Sequence, residues 1–182
     1  MIISISGLHG TGKSTIAKKI AEALDYNYYS TGNAFREKAK EMRMTLEEFT
    51  RHVENHPEID NELDDKIVEM AKRGDIIVDS QLSGFLLKSI ADLRIILTCP
   101  LETRVKRMSE RDATSYNEKM EETLMREQSE AKRFKELYNI DLKDANQIKK
   151  AHDVILATEG LSIEQVFNNA MHVIKNKNLK IT

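Results

Sequence analysis

Short apolar runs rich in β-branched residues recur along the chain, at residues 2–6, 26–30, 75–80, 93–99 and 153–158. Most are nearly continuous apolar strings, a pattern typical of strands that are covered on both faces. Between them lie longer segments with helical periodicity, at residues 14–24, 33–42, 57–73, 101–110, 116–138 and 163–174. This alternation predicts an α/β fold in which a parallel sheet of about five strands carries helices on both faces.

Local signals support several of the predicted helix starts. Capping-box spacing occurs in the pairs Thr45 and Glu48, Ser115 and Glu118, and Ser162 and Gln165. Two connections, at residues 33–74 and 100–148, are much longer than a single crossover helix requires. Long connections in a compact domain are where substrate covers and lids usually lie.

Composition limits the class of protein. The 182 residues are 40% hydrophobic and 32% charged, which fits one ordinary globular domain. The formal net charge of −2 gives no reason to expect a nucleic-acid partner. No window approaches the roughly 20 apolar residues of a membrane helix, and the amino terminus lacks the regions of a signal peptide. We therefore expect a cytoplasmic monomer without a membrane partner.

The strongest motif follows the first predicted strand: Gly, four free positions, then Gly-Lys-Ser, which is the phosphate-binding loop (P-loop) pattern. Glycines let the backbone curl so that successive N–H groups converge on phosphate oxygens, and the next helix start adds unpaired donors. Lys13 should reach the β and γ phosphates as a catalytic group, whereas His9 should only fill a free position. The sequence predicts ATP as phosphate donor, bound by residues Gly7, Leu8, His9, Gly10, Thr11, Gly12, Lys13, Ser14 and Thr15.

A metal site is expected beside this loop. The Ser14 hydroxyl follows the P-loop lysine and is placed to bind Mg²⁺. Asp79 ends the apolar run of residues 76–78, so its carboxylate should emerge at the carboxyl end of that strand, next to the P-loop. There it would hold Mg²⁺ through water, and Ser14 and Asp79 are the predicted metal ligands.

Several features favour a small-molecule kinase over other P-loop proteins. The chain is short and has no Asn-Lys-x-Asp string for reading guanine. A Ser-Thr-Gly turn at residues 30–32 follows the second predicted strand, and Arg36 comes about one helical turn later. Arg126 and Arg133 are seven residues apart on one long predicted helix, so they share a face, and Arg111 precedes that helix.

The order of these motifs resembles the nucleoside monophosphate kinases over nearly the whole chain. The similarity is greatest to archaeal-type cytidylate kinases, whose strings resemble residues 35–39, 46–49, 57–60 and 129–135. The resemblance implies a three-layer P-loop kinase fold with five parallel strands. Its expected parts are core segments 1–32, 75–110 and 139–182, a helical acceptor-binding insertion at 33–74 and a lid at 111–138.

The same resemblance implies roles for single residues. In that family the Arg after the Thr-Gly turn grips the acceptor phosphate, and lid arginines close over the transferring group; here these positions are Arg36 for the acceptor and Arg126, Arg133 and Arg111 for catalysis. The implied acceptor set is Thr31, Gly32, Arg36, Gln81 and Asp60, the last for the base. The archaeal group has Gly-Arg where this chain has Ser80-Gln81, and often has Thr where this chain has Lys13.

ATP-dependent phosphorylation of CMP or dCMP is the expected activity. An adenylate kinase, or a kinase of another small metabolite, is the alternative within the same class. A catalytically weak nucleotide-binding regulator is the alternative from a different class, because the arginine replaced by Gln81 would help to hold the acceptor.

Other polar residues receive structural interpretations. His52, His56 and Asp64 are expected to be solvated helix residues, since no zinc-like spacing joins them. The tyrosines at 26–29 are expected to pack in the core and at its rim. Residues 157–159 follow the last predicted strand, where the resemblance implies a backbone lining for the adenine pocket.

Overall fold

The computed structural model describes residues 1–178. One five-stranded sheet has the order β2-β3-β1-β4-β5, and all of its pairings are parallel. The strands are β1 (Ile2–Ser6), β2 (Asn27–Ser30), β3 (Ile76–Asp79), β4 (Leu93–Thr98) and β5 (Val154–Ala157). The predicted α/β fold is confirmed, and every predicted strand agrees with the structure to within one residue at each end.

Helices fill the connections between the strands. They are α1 (Lys13–Leu24), α2 (Thr31–Glu41), α3 (Leu46–Val53), α4 (Pro57–Ala71), α5 (Ser83–Leu86), α6 (Leu101–Asp112), α7 (Tyr116–Tyr138), α8 (Ala145–Ala151) and α9 (Ile163–Asn178). The apolar pattern did not predict α3, α5 and α8, each of which has eight residues or fewer. The predicted capping boxes at Thr45 and Ser115 are both formed. No helix within residues 1–178 is long and apolar enough to cross a membrane.

Alternate residues of β1 serve the two faces of the sheet. Ile3 and Ile5 are fully buried in the cluster that α1 and α9 form on one face. Ser4 and Ser6 point the other way and are equally buried, so their hydroxyls need partners. The Ser4 hydroxyl donates to Ser83 Oγ (2.9 Å), and Ser6 Oγ accepts from the Gly84 N–H (3.0 Å). These bonds fix α5, and with it the segment that follows the carboxyl end of β3.

A second apolar cluster belongs to the long connection between β2 and β3. It joins α2, α3 and α4 through the buried side chains of Ala39, Phe49, Val53, Ile59 and Leu63. The connection from α6 through α7 likewise packs back on the sheet side, where Leu82, Phe134 and Ile140 form a smaller cluster. Both long connections therefore meet at the carboxyl edge of the sheet, beside β1.

Gly84 and His152 pack so closely that position 84 has no room for a side chain. A Cβ on Gly84 would lie 2.1 Å from His152 Nε2, and the ring is held because its Nδ1 donates to the Ile148 carbonyl (2.8 Å). We expect Gly84→Ala to lower the free energy of unfolding by about 1–3 kcal/mol, because overpacking forces neighbours to move. Urea unfolding measures this change. In a His152→Ala background most of the cost should disappear, and an unchanged cost there would contradict the explanation.

Candidate active site

The P-loop connects β1 to α1 at the carboxyl edge of the sheet. Gly10 has φ 78°, and a Cβ there would lie 2.7 Å from the Arg104 carbonyl oxygen, so both backbone conformation and space require glycine. Thr11 closes the turn because its Oγ1 donates to the Leu8 carbonyl (2.9 Å). Gly12 precedes α1 without a capping side chain, which leaves the first N–H groups of the helix available for an anion.

Arg104 supports the loop from behind. It is only 4% exposed, and its Nη1 donates to the His9 carbonyl (2.8 Å) while its Nε donates to the Cys99 carbonyl (3.1 Å). Its guanidinium also forms an ion pair with Glu127 of α7. Sequence reasoning missed Arg104, although its place beside the apolar Val105 and Met108 of α6 marks it as an inward-facing cation.

Lys13 and Asp79 lie together at the mouth of the loop. Burial lowers the pKa of Lys13, against the attraction of the Asp79 and Glu130 carboxylates. Asp79 is 1% exposed, and its Oδ2 accepts from the hydroxyls of Tyr28 (2.9 Å) and Ser30 (3.0 Å). Tyr28 was interpreted as a packing residue; instead its hydroxyl orients the predicted metal ligand.

The residues present fit a magnesium ion. Asp79 Oδ1 is buried and has no hydrogen-bond partner among residues 1–178, while Oδ2 is held by the Tyr28 and Ser30 hydroxyls. The Ser14 side chain lines the same cleft. These are hard oxygen donors, and Mg²⁺ is usually held by only one or two protein ligands together with substrate phosphates. Consistently, residues 1–178 contain no cluster of three or more His, Cys, Asp or Glu side chains for a metal.

The acceptor side begins where β2 meets α2. Ser30 Oγ accepts from the Asn33 N–H (3.3 Å) and so caps α2, which puts Thr31 and Gly32 at the first turn. The Thr31 hydroxyl is buried and finds no hydrogen-bond partner in the described part of the chain. Arg36 donates to Asn33 Oδ1 (2.6 Å), and its guanidinium lines the same cleft as Lys13.

Positive charges are crowded in this cleft. Burial lowers the pKa of Arg36, and the neighbouring guanidinium groups of Arg126 and Arg111 lower it further. Arg126 and Arg36 also act against the charge of Lys13. Several cations that repel one another in one cleft favour the binding of an anion that carries several charges.

A three-residue network links the P-loop, the end of β3 and α7. Glu130 accepts from His9 Nε2 (2.7 Å) and from Gln81 Nε2 (2.8 Å). Burial raises the pKa of Glu130, but the attraction of His9 and Arg126 and the hydrogen bonds outweigh it and bring the pKa to about 2. Glu130 is therefore ionised, and His9 does more than fill its position because it ties the loop to α7.

The predicted lid arginines have different surroundings. Arg126 lies 3.9 Å from a Glu130 oxygen and lines the cleft of Lys13 and Arg36. Arg111 pairs with Asp112 (2.6 Å) near that cleft. Arg133 is instead paired with Asp60 (2.7 Å), so the structure brings Arg126 to the P-loop and gives Arg133 a buried partner on α4.

Two clefts flank the P-loop. The first is lined by Lys13, Asp79, Arg36, Asp60 and Asp64, so it joins the P-loop to the inner face of α4. Asp64 was expected to be solvated but is 9% exposed, and His52 and His56 are half-buried and stacked with ring centroids 3.8 Å apart. The burial of Asp64 is a correction that follows from its place on the inner face of α4.

The second cleft lies on the other side of the loop. It is lined by Gly10, Gly12 and Thr15 of the predicted ATP set, together with Arg107 and Thr158. Arg107 donates through Nη2 to the Thr158 carbonyl (2.7 Å) and through Nη1 to its hydroxyl (3.0 Å). Thr158 lies in the segment after β5 that was expected to line an adenine pocket; Arg107 was missed.

A parallel sheet of this order, with a phosphate-binding loop after β1 and clefts on both sides of it, defines the α/β P-loop kinase fold. The structure is similar to a solved shikimate kinase from Acinetobacter baumannii in complex with shikimate, with a TM-score of 0.64 over 98% of this chain and 94% of that chain. Their sequences are 15% identical, so this likeness concerns the fold alone.

Sequence comparison identifies the family. The profile of the cytidylate kinase-like family matches residues 2–157, and the chain belongs to that family. A cytidylate kinase of Methanocaldococcus jannaschii is 41% identical over 97% of this chain and 98% of its own length. A cytidylate kinase of Staphylothermus marinus is 40% identical over 92% of this chain and 93% of its own.

Proposed function

We propose that this protein transfers the γ-phosphoryl group of ATP to CMP or dCMP. The observation that carries the proposal is the convergence of Lys13, Arg36 and Arg126 on one cleft beside the P-loop. Such a cluster suits a pair of facing phosphate groups, and the relatives named cytidylate kinase supply the nucleotide class. Arg36, Gln81 and Arg126 all border that cleft, which favours an acceptor next to the donor site over a regulator that only binds ATP.

The donor ATP would place its phosphates on residues 7–15 and its adenine in the second cleft. Thr158 and Arg107 border that cleft. Ser14 and Asp79 would hold Mg²⁺, which neutralises phosphate charge when it is bound. Lys13 would stay on the β and γ phosphates throughout the transfer.

The acceptor phosphate would lie on Arg36, with Thr31, Gly32 and Gln81 around it and Asp60 toward the base. A monophosphate has its second pKa near 6, so its oxygen is already anionic at neutral pH and no general base is needed. Catalysis then consists of orienting the two phosphates and stabilising the charge between them. We assign that task to Lys13 and Arg126, with Arg111 at the rim. Arg133 is held by its pair with Asp60 and lines the same cleft.

We further propose that residues 33–74 cover the acceptor and that residues 111–138 act as the lid. Each long connection contributes charged residues to the acceptor cleft, Arg36 and Asp60 from the first and Arg126 from the second. Closing both over the phosphates would exclude water and limit ATP hydrolysis. We also propose that the protein is a monomer in the cytoplasm with nucleotides as its partners. Size-exclusion chromatography would test the oligomeric state, and cell fractionation would test the location.

The proposed reaction is tested by measuring ADP release with CMP, dCMP, UMP, AMP and GMP as acceptors, and by identifying the product. We expect CDP and dCDP to form fastest. Preferential formation of a second ADP from AMP would reassign the protein as an adenylate kinase. Slow ADP release without any phosphorylated acceptor would identify a nucleotide-dependent regulator.

Asp79→Asn should weaken the use of magnesium more than the binding of nucleotide alone. The amide keeps one oxygen for Tyr28 or Ser30 but removes the charge from the unpaired Oδ1 position. We expect the Mg²⁺ concentration for half-maximal activity to rise about ten-fold, on the scale of losing one ionic contact to the metal shell. Asp65→Asn, an exposed aspartate of α4, is the control. An unchanged magnesium requirement in Asp79→Asn would remove Asp79 from the metal site.

A further inference from the structure

Two aspartates share the inner face of α4 and line the cleft proposed for the acceptor. Asp60 and Asp64 are one helical turn apart, and they are only 6% and 9% exposed. Both line the cleft that contains Lys13 and Arg36 at its phosphate end. Buried carboxylates are costly to desolvate, so each needs either a partner or a function.

Only one of the two has a cationic partner. Asp60 Oδ2 accepts from Arg133 Nε at 2.7 Å, and Arg133 Nη1 donates to Ser129 Oγ at 2.7 Å. For Asp64, no salt bridge is formed within residues 1–178. Burial, together with the nearby carboxylates of Asp60 and Asp65, raises the pKa of Asp64 to about 7. The hydroxyl of Tyr138, which lies nearby, donates to Asn61 Oδ1 (3.2 Å).

The cleft thus offers a hydrogen-bond acceptor from α4 and a hydrogen-bond donor from α7. Asp64 supplies carboxylate oxygens, and Arg133 has five N–H donors, of which the Nε and one Nη1 proton are used. Phe35, Leu63 and Phe134 line the same cleft and provide apolar contacts for a planar ring. An aromatic base with an amino group next to ring acceptors matches this arrangement.

Cytosine has that pattern, and uracil differs from it at one edge. The exocyclic N4 amino group of cytosine is a donor, whereas uracil, like thymine, has an O4 acceptor there. An ionised carboxylate accepts from N4 but repels O4, because it has no proton to give. A donor such as Arg133 suits the ring acceptors of either pyrimidine, so the carboxylate makes the distinction.

We propose that Asp64 accepts a hydrogen bond from the cytosine amino group while Arg133, fixed by Asp60, donates to the ring acceptors, so that Asp64 determines the preference for CMP over UMP. This inference rests on the proposed function and deepens it, because it identifies the residue that reads the acceptor base. Arg133 is then a specificity residue at the base and not a phosphate-binding one.

The preference should also depend on pH. Protonated Asp64 gains an O–H that donates to uracil O4, so UMP becomes a better acceptor as pH falls below about 7. Above that pH the ionised form favours CMP. The titratable and charged groups that face Asp64 are Asp60 and Asp65 of α4, Arg133 and Tyr138 of α7, and Tyr29 of β2. Burial, and the carboxylate of Asp64 after it, raise the pKa of Tyr29 to about 12, so it stays neutral throughout.

The test compares wild type with Asp64→Asn and uses Asp65→Asn, the exposed neighbour, as matched control. The kcat/KM for CMP and for UMP is measured at saturating ATP from pH 5.5 to 8.5, and the affinity for each monophosphate is measured by calorimetry. In Asp64→Asn we expect the CMP to UMP ratio to fall at least about ten-fold, the size of one lost base contact, and to lose its pH dependence. Asp65→Asn should keep the wild-type ratio.

The outcomes separate the inference from the proposed function. A variant that loses CMP and UMP activity equally, or keeps the ratio, overturns the role of Asp64 while CMP turnover by wild type still supports the kinase. If wild type binds CMP more tightly than UMP but phosphorylates neither, the proposed function is overturned. The role of Asp64 is then decided by whether Asp64→Asn lowers the ratio of the CMP and UMP affinities. Asp64→Glu keeps a carboxylate and should retain part of the preference, which excludes a folding defect as the cause.

Discussion

Replacing Lys13 with alanine is expected to lower kcat about 10²- to 10³-fold, on the scale found when one preorganised charge is removed from a transition state. Lys13 lies in the P-loop mouth with Asp79 and Glu130 around it, and among residues 1–178 it is the one lysine that lines either cleft beside the loop. Because burial already lowers its pKa, the folded protein gains nothing from this charge until phosphates bind. Stability without nucleotide should therefore stay the same or rise.

Lys72→Ala is the matched control for Lys13→Ala. Lys72 is exposed and follows α4 just before β3 begins, at the edge of the sheet opposite the clefts. Its removal should leave kcat within two-fold, the range expected for an isolated surface side chain. Thermal shift with magnesium-ATP adds a second measurement: wild type and Lys72→Ala should be stabilised by the nucleotide, and Lys13→Ala much less. A loss of activity below ten-fold in Lys13→Ala would contradict the proposed donor site.

Arg36→Ala is expected to raise the KM for CMP about 10- to 100-fold, as charge-assisted hydrogen bonds to a phosphate are each worth roughly 1.5–3 kcal/mol. Its guanidinium faces the cleft and is repelled by the guanidinium groups of Arg126 and Arg111. A bound phosphate would offset this electrostatic repulsion. The KM for ATP should change little, because the donor phosphates lie on the loop itself. Initial rates with each substrate varied in turn measure both constants.

Arg51→Ala serves as the control for Arg36→Ala. Arg51 is exposed on α3 and pairs with Glu47 of its own helix (2.7 Å). Pairs of this kind contribute about 0.3–0.5 kcal/mol, so neither KM should move measurably. If Arg36→Ala weakened ATP and CMP equally, Arg36 would belong to the donor site or to the fold.

The fold was predictable because its strongest features are local. The runs that became β1 and β3 are buried on both faces, so nearly every residue in them is apolar or, like Ser4 and Ser6, hydrogen-bonded to α5. Short helices were harder to predict. In α5 only four residues are helical, held by bonds from Ser83 and Gly84 to β1, which lies 77–79 residues away and leaves no periodic signal.

The sequence likewise predicted some features of the site better than others. The P-loop follows β1, Asp79 is the last residue of β3, and Arg36 lies in α2, which begins where β2 ends. Their places therefore depend on segments that sequence patterns define well. The partners of Arg133 and Glu130 depend on packing between elements that are far apart in sequence: Asp60 precedes Arg133 by 73 residues, and His9 precedes Glu130 by 121. Seven-residue spacing correctly put Arg126 and Arg133 on one face of α7, but it carried no information about which acid each would meet.

The carboxylate of Glu130 has a consequence for how the protein would release its products. It keeps a fixed negative charge among Lys13, Arg126 and His9, where the phosphates are expected to lie. A resident anion offsets part of the cationic field, so two diphosphates would be held less tightly than the bare set of cations would hold them. We expect kcat to depend on the negative charge of Glu130, because an active site with too high an affinity for its product nucleotides releases them slowly.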